Sequence, residues 1–110
     1  MSDSYYVSPD MTEQIEQIPG IRRRTMATTE RMMLCEFTVS KGGVVPPHSH
    51  MHDQCGYVVS GKIEFTIGDV TRVCMPGDTY AVPGGLIHSA TAMEDTLLVE
   101  IFAPPREEYR

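Results

Sequence analysis

Three of the four histidines of the chain fall in the short segment His48–His52. Side chains two residues apart on a β-strand point to the same face, so on a strand His48 and His50 would present their imidazoles side by side. That spacing suits two ligands of one divalent metal ion. Gln54 and the remote His88 could complete the ligand set. A His-x-His tract is also found in solvated loops, so the pattern around it must distinguish the two interpretations.

A carboxylate stands among apolar residues on the last predicted strand. Glu100 and Phe102 share one face of that strand with Leu98, because side chains alternate between the faces. Such a carboxylate lies either at a wet sheet edge or inside a pocket, and the residues leave both possibilities open. In a pocket, burial would raise the pKa of Glu100 and a metal would lower it, which would make it a candidate proton shuttle.

Other polar side chains are candidates for substrate binding. Arg106 could hold a substrate carboxylate through a two-pronged hydrogen bond. It stands close to Glu107, Glu108 and Arg110, so a surface ion pair is the competing interpretation. Tyr57 and Tyr80 could hydrogen-bond substrate at the wall of a barrel, or simply pack.

Two-residue alternation broken by glycine and proline predicts many short strands and an all-β fold. A short helical turn or strand is expected before Pro19-Gly20. Many short strands within one domain indicate a sandwich or a small barrel. The predicted strands are Ile21–Thr28, Arg31–Val39, Val44–His50, Gln54–Ser60, Lys62–Ile67, Val70–Met75, Thr79–Val82, Ile87–Ala92 and Thr96–Ala103.

Two separated motifs resemble those of the cupin superfamily. The first is a glycine, five residues, His-x-His, a carboxylate position and a second glycine; it is matched by Gly42, His48, His50, Gln54 and Gly61, with glutamine in place of glutamate. The second motif is matched by Gly77, Pro83, Gly85 and His88, with Ala92 where the family has asparagine. The resemblance implies a small β-barrel, or double-sheet jelly roll, with a metal inside it.

The resemblance also implies roles for single residues. It makes His48, His50, Gln54 and His88 the metal ligands, with zinc, nickel, manganese or iron(II) as the ion and no organic cofactor. His52 is then an acid or base beside the metal, a residue facing solvent, or a replacement for Gln54.

The chain looks most like the single-domain KdgF-type cupins, which open the ring of 4,5-unsaturated uronates to give a linear keto sugar acid. In that group the last strand carries an aspartate, a phenylalanine and an arginine. The matching positions are Glu100, Phe102 and Arg106, with glutamate in place of aspartate. Glu100 is therefore the expected proton carrier, Phe102 and Arg106 are expected to contact substrate, and a homodimer is expected.

The neutral Gln54 favours one kind of chemistry over others. Three imidazoles and an amide leave the charge of a divalent ion uncompensated, which makes it a stronger Lewis acid toward a hydroxyl or carboxylate. We therefore expect an isomerase or lyase type of enzyme acting on a sugar acid. The alternatives are a metal-dependent binding or sensing cupin without turnover, and a metal-dependent dioxygenase, for which the neutral ligand is unfavourable.

Composition limits the remaining possibilities. The chain has 110 residues and a net charge of −6, which argues against binding to nucleic acid or an anionic membrane. The only basic cluster, Arg22–Arg24, is interpreted as a solvated strand face. The amino end has neither a basic nor an apolar leader pattern, so a cytoplasmic protein is expected.

The expected organisation has three parts: an N-terminal arm over residues 1–20, a barrel over 21–105 and a C-terminal tail over 106–110. The arm and the methionines 26, 32 and 33 are candidate dimer contacts. The three cysteines lack a C-x-x-C pair and are expected to be reduced. A thiolate ligand or nucleophile at Cys55 is kept as a lesser alternative, because Cys55 follows Gln54 in the chain.

Overall fold

A computed structural model describes residues 5–110, so the first four residues of the expected N-terminal arm lie outside the described part. Residues 5–110 form ten antiparallel strands in two sheets. No helix in this part of the chain is long and apolar enough to cross a membrane. The strands are β1 Gln14–Ile18, β2 Ile21–Thr28, β3 Met33–Val39, β4 Val44–His48, β5 Asp53–Ser60, β6 Ile63–Ile67, β7 Val70–Cys74, β8 Thr79–Val82, β9 His88–Ala92 and β10 Thr96–Ala103.

The two sheets face each other as a jelly roll. One sheet has the order β1-β2-β3-β10-β5-β8, and the other has the order β4-β9-β6-β7. Alternating residues of both sheets point between the layers and form one apolar core. The all-β fold expected from the residue pattern is confirmed. The largest fully buried hydrophobic side chains of the core are Phe102, Met33, Ile63, Val39, Val58 and Val82.

A bulge in β4 turns His48 toward the interior. Val45 pairs with Ala90 and His48 pairs with His88, so β4 contains one more residue than β9 between these two pairs. The extra residue lies at Pro46-Pro47, where the missing N–H groups cannot join the ladder. Strict alternation from Val45 would have pointed residue 48 outward. The bulge shifts the phase, and His48 joins Val45 on the cavity side.

The N-terminal arm is attached to the barrel by strand pairing and by one arginine. A short 3-10 turn at Pro9–Met11 precedes β1, which pairs antiparallel with β2. The guanidinium of Arg24 donates to the carbonyl oxygens of Pro9 and Thr12, each at 2.8 Å. These bonds hold the turn against β2.

Two expectations about buried residues are wrong. Met33 is fully buried in the core, so it cannot contact a partner subunit. Arg23, which belongs to the basic cluster interpreted as a solvated face, is only 6% exposed. Since Ile21 and Arg23 alternate with Arg22 along β2, the inward face of the strand carries one arginine of the three.

Candidate metal centre

Three histidines converge at the edge of the interior. His48 ends β4, His50 follows it, and His88 begins β9. One nitrogen of each imidazole lies within 4.8 Å of the corresponding nitrogens of the other two. The strand pairing of His48 with His88 and the His-x-His spacing bring together side chains that are 40 residues apart in the sequence.

Backbone carbonyls set the tautomer of all three rings. Nδ1 of His48 lies 3.0 Å from the carbonyl oxygen of Pro46, and Nδ1 of His88 lies 2.9 Å from that of Leu86. Nδ1 of His50 lies 3.0 Å from the carbonyl oxygen of His52. A carbonyl only accepts, so each Nδ1 carries the proton, and each Nε2 presents a lone pair. This is the arrangement of histidines that bind a metal through Nε2.

Gln54 adds a fourth donor atom to the same place. Its side-chain nitrogen donates a hydrogen bond to Oε2 of Glu100, which fixes the orientation of the amide. Its oxygen Oε1 then faces Nε2 of His50 at 3.0 Å. With Nδ1 protonated, a neutral His50 ring brings two lone pairs together there, and a cation between them would relieve the repulsion.

The burial of these groups supports the same interpretation. Nε2 of His88 is buried and has no hydrogen-bond partner among the described residues. Burial lowers the pKa of both His50 and His88, and each ring also feels the positive charge of Arg106. Neutral imidazoles with free Nε2 lone pairs are the form that binds a metal. The donor set therefore fits a divalent transition metal.

Glu100 lies inside the barrel beside this centre. It is only 5% exposed, and both of its hydrogen bonds fall on Oε2, one from Gln54 and one at 2.8 Å from the hydroxyl of Tyr80. Burial raises the pKa of Glu100, while the bonds from Gln54 and Tyr80 and the charge of Arg106 oppose that rise. Of the two positions left open by the sequence, the pocket is the correct one.

Gly56 makes room for the Tyr80 ring. Gly56 of β5 pairs with Glu100 of β10 on one side and with Tyr80 of β8 on the other. A Cβ at residue 56 would overlap the Tyr80 ring. Tyr80 therefore lies across β5 and stacks on Phe65 at 4.1 Å between ring centroids. The Tyr80 hydroxyl donates a hydrogen bond to Glu100, so Tyr80 contacts Glu100 instead of offering a free hydroxyl to a substrate.

His48, Gln54 and His88 line a cavity of about 220 Å³ between the two sheets, and His50 lies outside its lining. Glu100, Phe102 and Arg106 line it together with His48 and His88. Most of the remaining wall is apolar: Ile18, Ile21, Phe37, Val39, Val45, Ile63, Phe65, Ala90 and Leu98. The cavity thus combines a metal-type donor set, a buried carboxylate and a cation in an apolar enclosure.

Three predicted residues lie elsewhere. Tyr57 points to the outer face of β5 and is 48% exposed, so it does not line the cavity. Cys55 is exposed on that same face, opposite to Gln54, which argues against a thiolate ligand. His52 lies beside His50 with 5.5 Å between ring centroids, and it does not line the cavity. Its backbone carbonyl orients His50.

Sequence reasoning missed three residues around the site: Gly56, Arg23 and Tyr109. The alternation of β5 and β2 puts Gly56 and Arg23 on inward faces, which was a usable signal. Tyr109 follows the last strand and is buried against the cavity. No local pattern predicts that the chain folds back there.

The sequence matches the family described as Cupin domain over residues 35–103, more than half of its length, and the chain belongs to that family. It is 29% identical over 106 residues to the pectin degradation protein KdgF of Dickeya dadantii (strain 3937), with 94% of this chain and 96% of that protein covered. It is 29% identical over 102 residues to the H2HPP isomerase of Bacillus subtilis, with 92% of this chain and 42% of that protein covered. The solved structure of KdgF from Halomonas sp. matches with a TM-score of 0.90 at 33% identity, covering 96% of this chain and 97% of that one.

Proposed function

We propose that this cupin is a metal-dependent isomerase that opens the ring of a 4,5-unsaturated uronate. The observation that carries the proposal is one cavity lined by His48 and His88 of the histidine cluster, by the buried carboxylate of Glu100 and by Arg106. The names of the relatives, a pectin degradation protein and an isomerase, support the substrate class and the reaction type.

Ring opening needs one proton to move and no other reactant. The anomeric hydroxyl loses its proton, the bond between C1 and the ring oxygen breaks, and C4 gains a proton to give a linear keto acid. A group that accepts a proton and then returns it serves both steps. We assign this role to Glu100, because burial raises its pKa toward the range useful for proton exchange. Both of its hydrogen bonds fall on Oε2, which leaves Oε1 available to exchange the proton.

The other residues bind and orient. His48, His50, His88 and Gln54 would hold the ion, which when bound supplies Lewis acidity to a sugar oxygen. Arg106 is ion-paired with the exposed Glu108 in this structure. In the proposed function a substrate carboxylate takes the place of Glu108 on the planar fork. Phe102 packs against the ring of the sugar, and the apolar walls exclude water from the reacting atoms. We assign His52 no part in the proton transfer. Its role in this proposal is to orient the His50 ring through its backbone carbonyl.

The test is an assay of the metal-loaded protein with 4,5-unsaturated galacturonate and with the analogue derived from alginate. We expect a metal-dependent loss of the ultraviolet absorbance of the conjugated double bond. His88→Ala, which lacks a donor, serves as the control and should lose both metal and activity. No acceleration at full metal occupancy would contradict the uronate proposal and leave the metal site unaffected.

A further inference from the structure

The ring of Tyr109 forms part of the cavity wall and contacts two arginines. Tyr109 lies on the 3-10 turn Glu107–Tyr109 and is 8% exposed. The guanidinium carbon of Arg106 lies 4.3 Å from the ring centroid, and that of Arg23 lies 4.2 Å from it. Guanidinium groups at this distance are attracted to the face of an aromatic ring, more strongly where water is excluded.

The ring separates two spaces. Arg106 and Tyr109 line the metal cavity, whereas Arg23 and Tyr109 line an open groove behind it, next to β1. Two cations cannot occupy the same face of one ring at about the same height without strong repulsion. Tyr109 therefore lies between the two guanidinium groups.

The turn that carries Tyr109 is attached to the barrel rather than loose. The carbonyl oxygen of Tyr109 accepts a hydrogen bond of 2.6 Å from the hydroxyl of Thr25 on β2. The edge of the ring packs on Phe37 and Phe102, with centroids 6.2 and 5.7 Å away. The Tyr109 ring is thus held by the core on one edge and by its own backbone.

Arg23 is a buried cation without a carboxylate. The ion pairs among residues 5–110 join Arg106 to Glu108 and Arg110 to Glu107, and Arg23 takes part in neither. Its Nε is buried and has no hydrogen-bond partner in that part of the chain. No carboxylate of the described residues pairs with Arg23, so its positive charge stays uncompensated in the groove behind the Tyr109 ring. Burying such an unpaired charge is costly.

We propose that Tyr109 and Arg23 are positioning residues that make the Arg106 end of the cavity selective for a carboxylate. The Tyr109 ring holds the Arg106 fork from its face, while Glu108 accepts from Nε and Nη2 at 3.3 and 3.0 Å. The charge of Arg23 behind the ring adds to the attraction for an anion. Less side-chain freedom is then lost when Arg106 binds its ligand. This inference rests on the proposed function, since it concerns the same cavity and a uronate ligand.

The experiment compares an acid with its neutral form. Binding of galacturonate and of galacturonate methyl ester to the metal-loaded full chain is measured by calorimetry for wild type, Tyr109→Leu, Tyr109→Phe and Arg23→Met. We expect Tyr109→Leu to weaken acid binding about tenfold, a loss between those of an exposed and of a fully desolvated cation-π contact. Ester binding should change less than about twofold. Tyr109→Phe keeps the ring face and should bind both ligands as wild type does.

Arg23→Met replaces the arginine by an unbranched apolar side chain and removes the charge. It should therefore lower the preference for the acid over the ester severalfold. It carries the test alone if circular dichroism shows that Tyr109→Leu does not fold. An unchanged ratio of acid affinity to ester affinity in every folded variant would overturn the inference. The proposed function would be unaffected by that result as long as wild type binds the acid. Binding of neither ligand to a wild type that is active in the ultraviolet assay would overturn this inference alone, whereas a metal-loaded wild type inactive in that assay would overturn the proposed function.

Discussion

In the proposed metal site, Gln54 stands where cupins usually carry a carboxylate ligand, which would change where negative charge lies around the metal. The amide is neutral, and its nitrogen donates a hydrogen bond to Glu100. The nearest carboxylate would therefore lie behind the Gln54 side chain instead of binding the ion directly. A charge at greater distance compensates the metal less, and the ion stays the stronger Lewis acid. The same hydrogen bond ties the orientation of the ligand oxygen to Glu100.

We predict that Gln54→Glu binds the metal more tightly and turns over more slowly. A carboxylate ligand adds direct attraction and lowers the Lewis acidity of the centre. Metal affinity, measured by competition with a chelator, should rise roughly tenfold or more, while kcat falls. Unchanged metal affinity and unchanged kcat would show that residue 54 is not a ligand. Gln14→Glu at an exposed position of β1 makes the same change away from the site and is the matched control.

Glu100→Gln should retain metal and lose turnover, by a factor on the order of 100 to 10,000 if the group carries the proton. Full activity in this variant would remove Glu100 from the mechanism.

The same variant should be more stable than wild type at neutral pH when both are metal-free. Burial raises the folded-state pKa of Glu100, so the folded chain holds that proton more tightly than the unfolded chain does. The cost of the buried charge is present above the folded pKa, and it disappears as the pH falls below the unfolded pKa. The gain in melting temperature, roughly 4 °C for each kcal/mol relieved, should therefore vanish in acid. An equal gain at all pH values would contradict this explanation.

At the scale of elements, three neighbouring strands hold Glu100, the proposed proton carrier. The register aligns Glu100 of β10, Gly56 of β5 and Tyr80 of β8 in one row across the sheet. Since residue 56 has no side chain, the Tyr80 ring can cross β5 and reach the carboxylate. Burial and the nearby charge of Glu100 raise the pKa of Tyr80, so its hydroxyl keeps its proton and donates.

We predict that Gly56→Ala impairs catalysis through Tyr80. The added Cβ would push the ring aside and release Glu100 Oε2 from one of its two donors. A displacement of about 1 Å at a catalytic group lowers rates on the order of 100-fold, so kcat should fall with little change in KM. Tyr80→Phe keeps the ring and loses the hydroxyl, and it should show the same split between kcat and KM. A wild-type kcat in both variants would refute the role of this row.

At the scale of the whole molecule, the outer face of the six-stranded sheet carries apolar side chains. Ile101 and Tyr57 are 41% and 48% exposed there, and Met32 is 51% exposed near one end of β3. A dimer was expected from the family resemblance and remains a prediction, as does a cytoplasmic location. Contiguous apolar surface of this kind is typical of an interface.

We predict a dimer of twice the 12.3 kDa chain mass in light scattering. Ile101→Lys, in the middle of this face, should give a monomer, because a charge would be buried in the contact. Val73→Lys on β7 of the other sheet is the matched control and should leave the mass unchanged. A monomeric wild type would remove the prediction.

The sequence by itself determined the all-β fold and the places of most strands, because residue type and two-residue alternation are local properties of the chain. The predicted strand Val44–His50 was too long, since β4 ends at His48. The His-x-His spacing alone left a solvated loop possible, and the resemblance to the cupin motifs implied His48, His50, Gln54 and His88 as a set. The inward direction of Glu100 beside Phe102 also followed from alternation, although the sequence left open whether that face was wet.

Only the tertiary structure decided what closes the cavity. The burial of Arg23 depends on which face of β2 meets the other sheet, and the contact of Tyr109 with two arginines depends on the chain end folding back across β2. The inward turn of His48 needed the bulge against β9. These features join residues far apart in sequence, so no window of the sequence contains the partners that create them.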